Sequence, residues 1–243
     1  MRTLVFGDIH GGFKALAQLF DKIDVKKEDH LIFLGDYVDG WSESFETMAF
    51  LLKLSKLQPC IILKGNHDYY LEIYLDDKEN HPHWLKHGGQ STYDQYKLLD
   101  EKTRDLHLAF LKSMPLYHID DQQRLFVHAG YTSMHGPDYE HHQSNFFWDR
   151  TLWETAVSAN SSFQKNHLLF PKRLKHFKEI YIGHTPTLHL QSTKPMHKVN
   201  VWNMDTGAAF TGQLSAMDID TKEIWQSDRL VELYPNENGR NKI

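Results

Sequence analysis

The sequence predicts an α/β fold built around a parallel sheet. Its first half alternates apolar runs with amphipathic segments: RTLVF, HLIFL and CIILK are separated by FKALAQLFDKI and SESFETMAFLLKL. Strands and helices in this alternating order predict right-handed βαβ units. The strand segments are continuously apolar, which is typical of a sheet that is covered by other elements on both faces.

Local signals support each element of this first half. A helix is indicated where apolar residues recur at helical spacing, at Phe13, Leu16, Leu19, Phe20 and Ile23. The second helix is expected to begin at Ser42 or Ser44, since serine is a favourable N-cap residue. The third strand begins with Cys60, the only cysteine, which we expect to be a buried thiol. A single cysteine excludes an internal disulfide and fits a reducing compartment.

The second half is predicted to be less regular. A mostly helical stretch from about residue 68 to 113 is followed by short strands: LYHI, RLFVH, EIYIGH, VNVWNMD, GQLSAMDID and EIWQ. The last of these strands are expected to pair antiparallel. The span from about 131 to 178 is the least regular, and its basic run PKRLKHFK is expected to be a solvated helix face. The tail NENGRNKI is expected to fray.

Length and charge restrict the classes of function. The 243 residues suffice for a well-buried core and no linker divides them, so one domain over residues 1–243 is expected. The net charge of −5 argues against general binding to nucleic acid or to a membrane surface. No apolar run approaches the roughly 20 residues of a membrane span. Because the first strand begins close to Met1, no signal peptide is expected. We therefore expect a cytoplasmic monomer without a membrane or nucleic-acid partner.

Polar residues follow the apolar strands in five places. The first three strands lead into GDIHG, GDYVDG and GNHD, and two later strands lead into HAG and GHT. In an open α/β sheet, residues that follow the carboxyl ends of the strands meet at one edge. Glycines directly precede four of these polar groups, where the chain must turn sharply or approach closely. The side chains expected to converge are Asp8, His10, Asp36, Asp39, Asn66, His67, Asp68, His128 and His184.

This combination of side chains indicates a dinuclear metal site. Carboxylate, amide and imidazole ligands suit Mn, Fe, Zn or Co better than a soft metal. One carboxylate can bridge two ions roughly 3.5–4 Å apart, and such a pair binds phosphate oxygens and lowers the pKa of a bridging water. The remaining clusters of histidine have irregular spacing and are expected to be surface or packing residues: His81, His83, His87, His141 and His142.

The ordered set GDIHGG, GDYVDG, GNHD, HAG and GHT, followed by NMDTGA, resembles the calcineurin-like metallophosphoesterases. The resemblance extends from Gly7 to about Gly207 and is strongest to the phosphoprotein phosphatase branch in its compact bacterial and phage form. It implies a four-layer α/β/β/α sandwich with a dinuclear metal site at the C-terminal ends of the strands. It also implies two divalent or transition metal ions, with Mn expected and Fe, Zn, Co or Ni as alternatives.

The resemblance also implies a role for each motif residue. His67 would be the general acid that protonates the leaving oxygen, and Asp39 would orient it. Asp68 is interpreted as a charge at a helix N-terminus and not as a ligand. The nucleophile would be a metal-bound hydroxide that attacks phosphorus directly. The implied metal ligands are Asp8 and His10 for the first ion, Asp36 as the bridge, and Asn66, His128 and His184 for the second ion.

The match departs from the family pattern at the phosphate-binding positions. The family signature reads GDYVDRG, whereas this chain reads GDYVDGW, so Gly40 replaces an arginine that clamps the substrate phosphate. The remaining candidates for phosphate binding are Arg150 in FFWDR, Lys64 before GNHD, and Asn66. Trp41 could cover the cleft, stack on an aryl leaving group or pack in the core.

The expected activity is therefore hydrolysis of a phosphomonoester, with phosphoproteins carrying phosphoserine, phosphothreonine or phosphotyrosine as substrates. The alternatives are a hydrolase of dinucleoside polyphosphates such as diadenosine tetraphosphate, a non-catalytic scaffold of the same fold, and a nuclease or cyclic-nucleotide phosphodiesterase. The acidic net charge disfavours the nuclease. A complete ligand set disfavours the scaffold.

Overall fold

The computed structural model describes residues 1–77 and 81–241. These residues form two five-stranded sheets. In chain order the strands are β1 (Thr3–Phe6), β2 (His30–Phe33), β3 (Cys60–Ile62), β4 (Tyr117–Ile119), β5 (Arg124–Val127), β6 (Glu179–Ile182), β7 (Met196–Lys198), β8 (Val201–Asn203), β9 (Ser215–Asp218) and β10 (Ile224–Gln226).

The helices flank the sheets and connect the strands. Helices α1 and α2 connect the first three strands, and α3 to α6 fill most of the stretch between β3 and β4. In chain order they are α1 (Phe13–Ile23), α2 (Ser44–Leu54), α3 (Asn66–Asp77), α4 (Pro82–Trp84), α5 (Gln90–Tyr96), α6 (Glu101–Ser113), α7 (Asn145–Trp148), α8 (Thr151–Ser158), α9 (Lys172–Lys175) and α10 (Leu230–Leu233).

The first sheet has the order β10-β9-β1-β2-β3, and the second has the order β4-β5-β6-β8-β7. Strands β1, β2 and β3 are parallel, as the βαβαβ pattern predicts. In the second sheet, β5, β6 and β8 are also parallel. The hairpin of β9 and β10 pairs antiparallel with β1, which confirms the prediction for the last strands. Strand β7 lies before the predicted segment VNVWNMD, which contains only β8, so β7 was not predicted.

Alternation along the strands divides the core into layers. On β1, Leu4 and Phe6 pack with α1 and α2, while Val5 points into the cluster between the two sheets. On β5, Leu125 packs with α7 and α8, while Phe126 joins Val5 in the inter-sheet cluster. The result is the α/β/β/α sandwich that the resemblance implies.

Four local expectations are corrected. Cys60 is only partly buried, because β3 is the edge strand of its sheet. Helix α2 begins at Ser44, but the Ser44 hydroxyl accepts a hydrogen bond from the Asp39 amide and does not cap the helix. In the basic run, Arg173 is buried and donates to the Tyr131 carbonyl, so this face is not wholly solvated.

The fourth correction concerns the C-terminal tail. Its described part, up to residue 241, is hydrogen-bonded to the body of the protein: the Arg240 amide donates to the Ala209 carbonyl at 2.8 Å. The last two residues of the tail, and residues 78–80 of the predicted helical stretch, lie outside the described residues. Among the residues described, no helix has the length and apolar character needed to cross a membrane.

Candidate active site

The motif residues meet at the carboxyl ends of the parallel strands, and several do so in an unusual backbone conformation. Four non-glycine residues of the site have positive φ: His10 at 54°, Asp36 at 56°, Asp39 at 73° and His184 at 68°. Such conformations cost free energy and concentrate at functional sites, where surrounding contacts enforce them. The strained backbone at these four residues directs their side chains toward the same edge of the sheets.

One group of donor atoms surrounds the amide oxygen of Asn66 at the start of α3. Asn66 Oδ1 lies 3.2 Å from His128 Nε2 and 2.9 Å from His184 Nδ1. Asp36 Oδ2 lies 3.3 Å from the same His128 nitrogen. All four side chains are buried. Their donor atoms thus converge on one point from two strands of the second sheet and two loops of the first.

A second group lies on the other side of Asp36. His10 Nε2 is 3.6 Å from Asp36 Oδ2 and 4.0 Å from Asp8 Oδ2. The same carboxylate oxygen of Asp36 therefore faces both groups, as a bridging ligand must. We call the six side chains of the two groups the ligand cluster: Asp8, His10, Asp36, Asn66, His128 and His184.

The spacing of these atoms fits metal ions. Ligands at about 2.0–2.2 Å from a metal are about 3.0–3.5 Å from one another in octahedral or tetrahedral geometry. The distances between neighbouring donor atoms around Asn66 and Asp36 fall in or near this range. In addition, Asp8 Oδ1 is buried and accepts no hydrogen bond from a described residue. A buried carboxylate oxygen without a donor is what a cation would satisfy.

The histidines are held in forms suited to ligation. His128 Nδ1 donates to the Leu34 carbonyl at 2.9 Å, and His10 Nδ1 lies 3.2 Å from the Asp39 carbonyl. Because a carbonyl only accepts, Nδ1 carries a proton in both rings, and Nε2 is the nitrogen that faces the cluster. Burial lowers the pKa of His10 and of His184, which favours neutral imidazole.

The carboxylates and His128 are strongly coupled. Burial raises the pKa of Asp8, and nearby Asp205 raises it further. Burial opposes ionisation of Asp36 as well, but His128 and His67 bring the pKa of Asp36 well below its usual range. Burial also opposes a charge on His128, yet Asp36 raises the pKa of His128 to about 10. The cluster is a dense set of mutually dependent charges, which is typical of functional sites.

Beside the ligand cluster, His67 and Asp39 form a hydrogen-bonded pair. His67 Nδ1 is 2.6 Å from Asp39 Oδ2. The same Asp39 oxygen accepts a hydrogen bond from Trp84 Nε1 at 2.6 Å, and the Asp39 amide donates to Ser44 Oγ and Thr92 Oγ1. Sequence reasoning missed Trp84, because it lies in a histidine-rich segment that was interpreted as surface.

Two glycines of the motifs are required because carboxylate oxygens lie too close to their backbone for a side chain to fit. A Cβ on Gly183 would lie 2.0 Å from Asp8 Oδ1, and a Cβ on Gly65 would lie 2.2 Å from Asp36 Oδ1. Each glycine therefore makes room for a carboxylate from a different motif, as the sequence analysis expected.

Asp68 connects two of the motifs without joining the ligand cluster. Its two carboxylate oxygens accept hydrogen bonds from the backbone amides of Asp36, Tyr37 and Gly65, each at 2.8 Å. It lies in the first turn of α3, as predicted. Its observed contacts position the loop that carries Asp36.

A cavity of about 210 Å³ lies above the ligand cluster. Its floor includes Asp36, Asn66, His67 and His184. The remaining residues that line it come from α3, from the segment around α4, from the end of α7 and the residues just after it, and from the C-terminal tail. We call these the rim: Tyr70, His83, His87, Trp148, Arg150 and Arg240.

The rim agrees with the sequence expectations in part. Arg150 lies at the cavity as predicted, with its Nε 3.5 Å from His184 Nε2. His83 and His87 are exposed, as expected of surface residues, and they also line the cavity mouth with their ring centroids 4.1 Å apart. Tyr70 and Trp148 form an edge-to-face pair at 5.8 Å. Arg240 was not identified at all.

Lys64 is a correction: the structure does not bring it to the cavity. Its ammonium is 2.5 Å from the Glu72 carboxylate, and both side chains are largely buried. Its backbone amide donates to the Pro115 carbonyl. Trp41 is fully buried in the core, where its indole nitrogen donates to the Ala208 carbonyl at 2.7 Å. It therefore neither covers the cleft nor stacks on a leaving group.

Comparison with known proteins agrees with this geometry. A sequence model described as calcineurin-like phosphoesterase matches residues 1–208. Over 96% of its length the chain is 24% identical to a symmetrical bis(5'-nucleosyl)-tetraphosphatase from Xylella fastidiosa, 92% of which is covered.

Two solved structures share the fold. A protein serine/threonine phosphatase from Saccharomyces cerevisiae superposes with a TM-score of 0.63 and 16% identity, over 94% of this chain and 80% of that one. A cold-active protein-tyrosine phosphatase from a Shewanella species superposes with a TM-score of 0.56 and 15% identity, over 93% of this chain and 80% of that one.

Proposed function

The chain belongs to the calcineurin-like phosphoesterase family and is a phosphoester hydrolase, and we propose that it removes phosphoryl groups from phosphorylated side chains of proteins. The reaction is hydrolysis of a phosphomonoester, which consumes water and yields a free hydroxyl group and inorganic phosphate. The family model supports the reaction class. The choice of substrate rests on the cavity.

The observation that carries this choice is the size of the cavity between the ligand cluster and the rim. Its volume is about 210 Å³, below the range of roughly 300–1,000 Å³ in which proteins enclose small molecules. A phosphorylated side chain needs to insert only its phosphoryl group and the adjoining atoms, because the rest of the polypeptide lies on the surface. A cavity of this size therefore supports a protein substrate over a dinucleotide.

We assign two divalent metal ions to the ligand cluster, with manganese as the expected metal. Such ions, when bound, attract phosphoryl oxygens and lower the pKa of a coordinated water. The assignment is supported by the donor-atom spacing and by the unsatisfied Asp8 oxygen. In it, Asp8 and His10 would hold the first ion, Asp36 would contact both, and Asn66, His128 and His184 would hold the second.

His67 is assigned as the general acid. Its Nδ1 is held by Asp39, so its Nε2 is the atom that delivers a proton to the leaving oxygen. Asp39 fixes the orientation of the ring and is itself fixed by the Trp84 indole. General acid catalysis contributes roughly 10²–10⁴-fold to the rate. The contribution is largest for alkyl leaving groups, which cannot depart as oxyanions at neutral pH.

Arg150 and Asn66 are assigned to substrate binding. The Arg150 guanidinium lies beside His184 at the cavity wall and can donate to the phosphoryl oxygens. The Asn66 amide oxygen faces His128 and His184 in the ligand cluster. Its amide nitrogen is therefore available as a second donor to the phosphoryl oxygens. The aromatic pair of Tyr70 and Trp148 at the mouth supports a preference for phosphotyrosine, whose ring offers a stacking surface.

A second candidate function is hydrolysis of dinucleoside polyphosphates. It is favoured by the similarity over nearly the whole chain to several relatives named as symmetrical bis(5'-nucleosyl)-tetraphosphatases, from Xylella fastidiosa and Coxiella burnetii. The same ligand cluster and the same acid serve both reactions, since both break a P–O bond. The aromatic rim could stack on a purine as well as on a tyrosine.

A substrate panel tests these proposals. The manganese-loaded protein would be assayed on p-nitrophenyl phosphate, on peptides that carry phosphoserine, phosphothreonine or phosphotyrosine, on diadenosine tetraphosphate and on a bis-aryl phosphodiester. We expect the phosphotyrosine peptide to have the highest kcat/KM among the natural groups. A higher kcat/KM on diadenosine tetraphosphate would replace the first proposal with the second. Turnover of none of them would indicate a scaffold.

A further inference from the structure

Arg240 reaches the catalytic cavity although only three residues follow it in the sequence. It lines the same cavity as Asp36, Asn66 and His67. Its aliphatic stem runs between two glycines: a Cβ on Gly40 would lie 3.4 Å from Arg240 Cγ, and a Cβ on Gly88 would lie 2.8 Å from it. Both glycines have positive φ, 109° and 105°. The stem therefore leaves no room for a Cβ at position 88, and at position 40 it would be in van der Waals contact with one.

The Arg240 guanidinium has no anionic partner among residues 1–77 and 81–241. The structure gives it no ion pair and no side-chain hydrogen bond there; its Cζ lies 5.4 Å from the centroid of the Phe210 ring. Other partly buried arginines are paired: Arg2 with Asp29, and Arg124 with Asp120 and Asp220. A cation that lines a buried site without an anion is suited to bind an anionic ligand.

The tail that carries Arg240 is held by the two residues that break the family signature. Gly40 leaves room for the arginine stem, and Trp41 is the surface on which the tail docks. Tyr234 stacks on Trp41 with ring centroids 5.2 Å apart, and a Cβ on Gly239 would lie 2.6 Å from the same indole.

Hydrogen bonds fix the tail on either side of Trp41. Glu237 accepts from the Ser42 amide at 3.0 Å and from the Ser42 hydroxyl at 2.7 Å. The Arg240 amide donates to the Ala209 carbonyl. The tail is therefore anchored on both sides of the loop that carries Asp39, and its last described turn delivers the arginine to the cavity.

From these contacts we propose that Arg240 binds the phosphoryl group of the substrate and takes the place of the arginine that the family signature has at position 40. The inference rests on the proposed phosphoesterase site, because the phosphoryl group has to lie between the ligand cluster and the rim. Arg150 and Arg240 then hold the group from two parts of the rim. A guanidinium can donate two parallel hydrogen bonds to phosphoryl oxygens, which an ammonium cannot.

The test compares three substitutions at this position with a matched control. Arg240→Ala removes the stem and the charge, Arg240→Met keeps a stem between the glycines, and Arg240→Lys keeps a charge without the fork. The control is Arg229→Ala, which removes an exposed arginine whose Nε bonds the Thr211 carbonyl outside the cavity. Each protein would be assayed for kcat and KM on p-nitrophenyl phosphate. Binding of inorganic phosphate to the manganese-loaded proteins would be measured by calorimetry.

We expect the Ala and Met variants to lose about 10- to 100-fold in kcat/KM and a similar factor in phosphate affinity, since charge-assisted hydrogen bonds have this worth. The Lys variant should lie between them and the wild type, and the Arg229 variant should match the wild type. A Met variant with wild-type phosphate affinity would overturn the proposal and leave Arg240 with a packing role.

The design separates the two proposals. A wild-type protein that hydrolyses phosphomonoesters, with an Arg240→Met variant that is equally active and binds phosphate equally well, would overturn the role of Arg240 alone. A wild-type protein that binds phosphate through Arg240 but hydrolyses no phosphoester would overturn the proposed function alone. Thermal unfolding of each variant would show whether the tail still stabilises the fold.

Discussion

The two sides of the cavity are built in different ways. Every residue of the ligand cluster follows a strand of one of the two sheets and is no more than 9% exposed. The rim comes from α3, the segment around α4, the region at the end of α7 and the tail, and Trp148 in it is 38% exposed. From this difference we infer that the sheets determine the chemistry and the peripheral segments determine which phosphoester is bound.

The largest expected effect is on the ligand-cluster side. Asp36 Oδ2 faces both His10 and His128, so Asp36→Asn removes a charge shared by both metal positions. We expect turnover to fall by several orders of magnitude and metal content to fall at both positions, measured by elemental analysis of the purified protein. Asp218→Asn is the control, since Asp218 is buried in β9 and its described hydrogen-bond donors are the nearby backbone amides of Asp220 and Thr221. Two tightly held ions in Asp36→Asn would contradict a bridging role.

The next effect concerns the proton donor. His67→Ala should lower kcat by roughly 10²–10⁴-fold with metal content unchanged, because His67 contacts Asp39 and is assigned no metal. The loss should be larger on a phosphoserine peptide than on p-nitrophenyl phosphate, whose leaving group needs little protonation. Equal losses on both substrates, or loss of metal, would assign His67 to the ligand cluster. Such an outcome has a structural basis, since His67 lies close to His10 and Asp36.

The contrast between the two sides also explains what the sequence could predict. Asp8, Asp36 and Asn66 were identified because each follows an apolar strand and a glycine, and parallel strands bring their carboxyl ends together. That inference needs only local patterns and one rule of topology. The fold class, the order of the first elements and the convergence of the ligand cluster follow from it.

The rim could not be predicted in this way. Arg240 contacts Gly40, which is 200 residues away in sequence, and Trp84 donates a hydrogen bond to Asp39, which is 45 residues away. The spacing of apolar residues in the sequence does not indicate either contact. The tail was expected to fray because terminal residues are often poorly ordered. One signal was present: the signature is broken at Gly40 and Trp41 together, which indicates that another segment fills the space. Which segment does so depends on side-chain contacts that the sequence does not display.

A smaller effect is expected on the rim. Arg150→Ala should cost about 10- to 100-fold in kcat/KM, because it removes one charge-assisted donor near His184. If both arginines bind one phosphoryl group, Arg150→Ala and Arg240→Ala should be non-additive in a double-mutant cycle of kcat/KM. Additive losses would place the two guanidinium groups on different parts of the substrate.

Restoring the family signature should not rescue these variants. Gly40→Arg would place a side chain at φ 109°, where L residues are strained, and its Cβ would lie 3.2 Å from the His10 carbonyl oxygen. Gly40→Ala is the control for this backbone cost.

The smallest expected effect concerns Lys64 and tests whether this residue belongs to the substrate-binding site. Lys64 directly precedes the GNHD motif, but its ammonium is paired with Glu72 and not with the cavity. Lys64→Met alone would leave the largely buried Glu72 carboxylate without its partner and lower stability, so the double variant Lys64→Met/Glu72→Leu is the cleaner probe. We expect its kcat/KM to stay within about twofold of the wild type.

A tenfold loss in kcat/KM at unchanged melting temperature would show that the lysine leaves Glu72 to contact the substrate. The division between ligand cluster and rim would then have to include a third source of positive charge, contributed by the end of β3. A retained activity would instead show that proximity to a catalytic motif in sequence does not suffice: a basic residue acts on the phosphoryl group only where no carboxylate holds it elsewhere, as at Arg150 and Arg240.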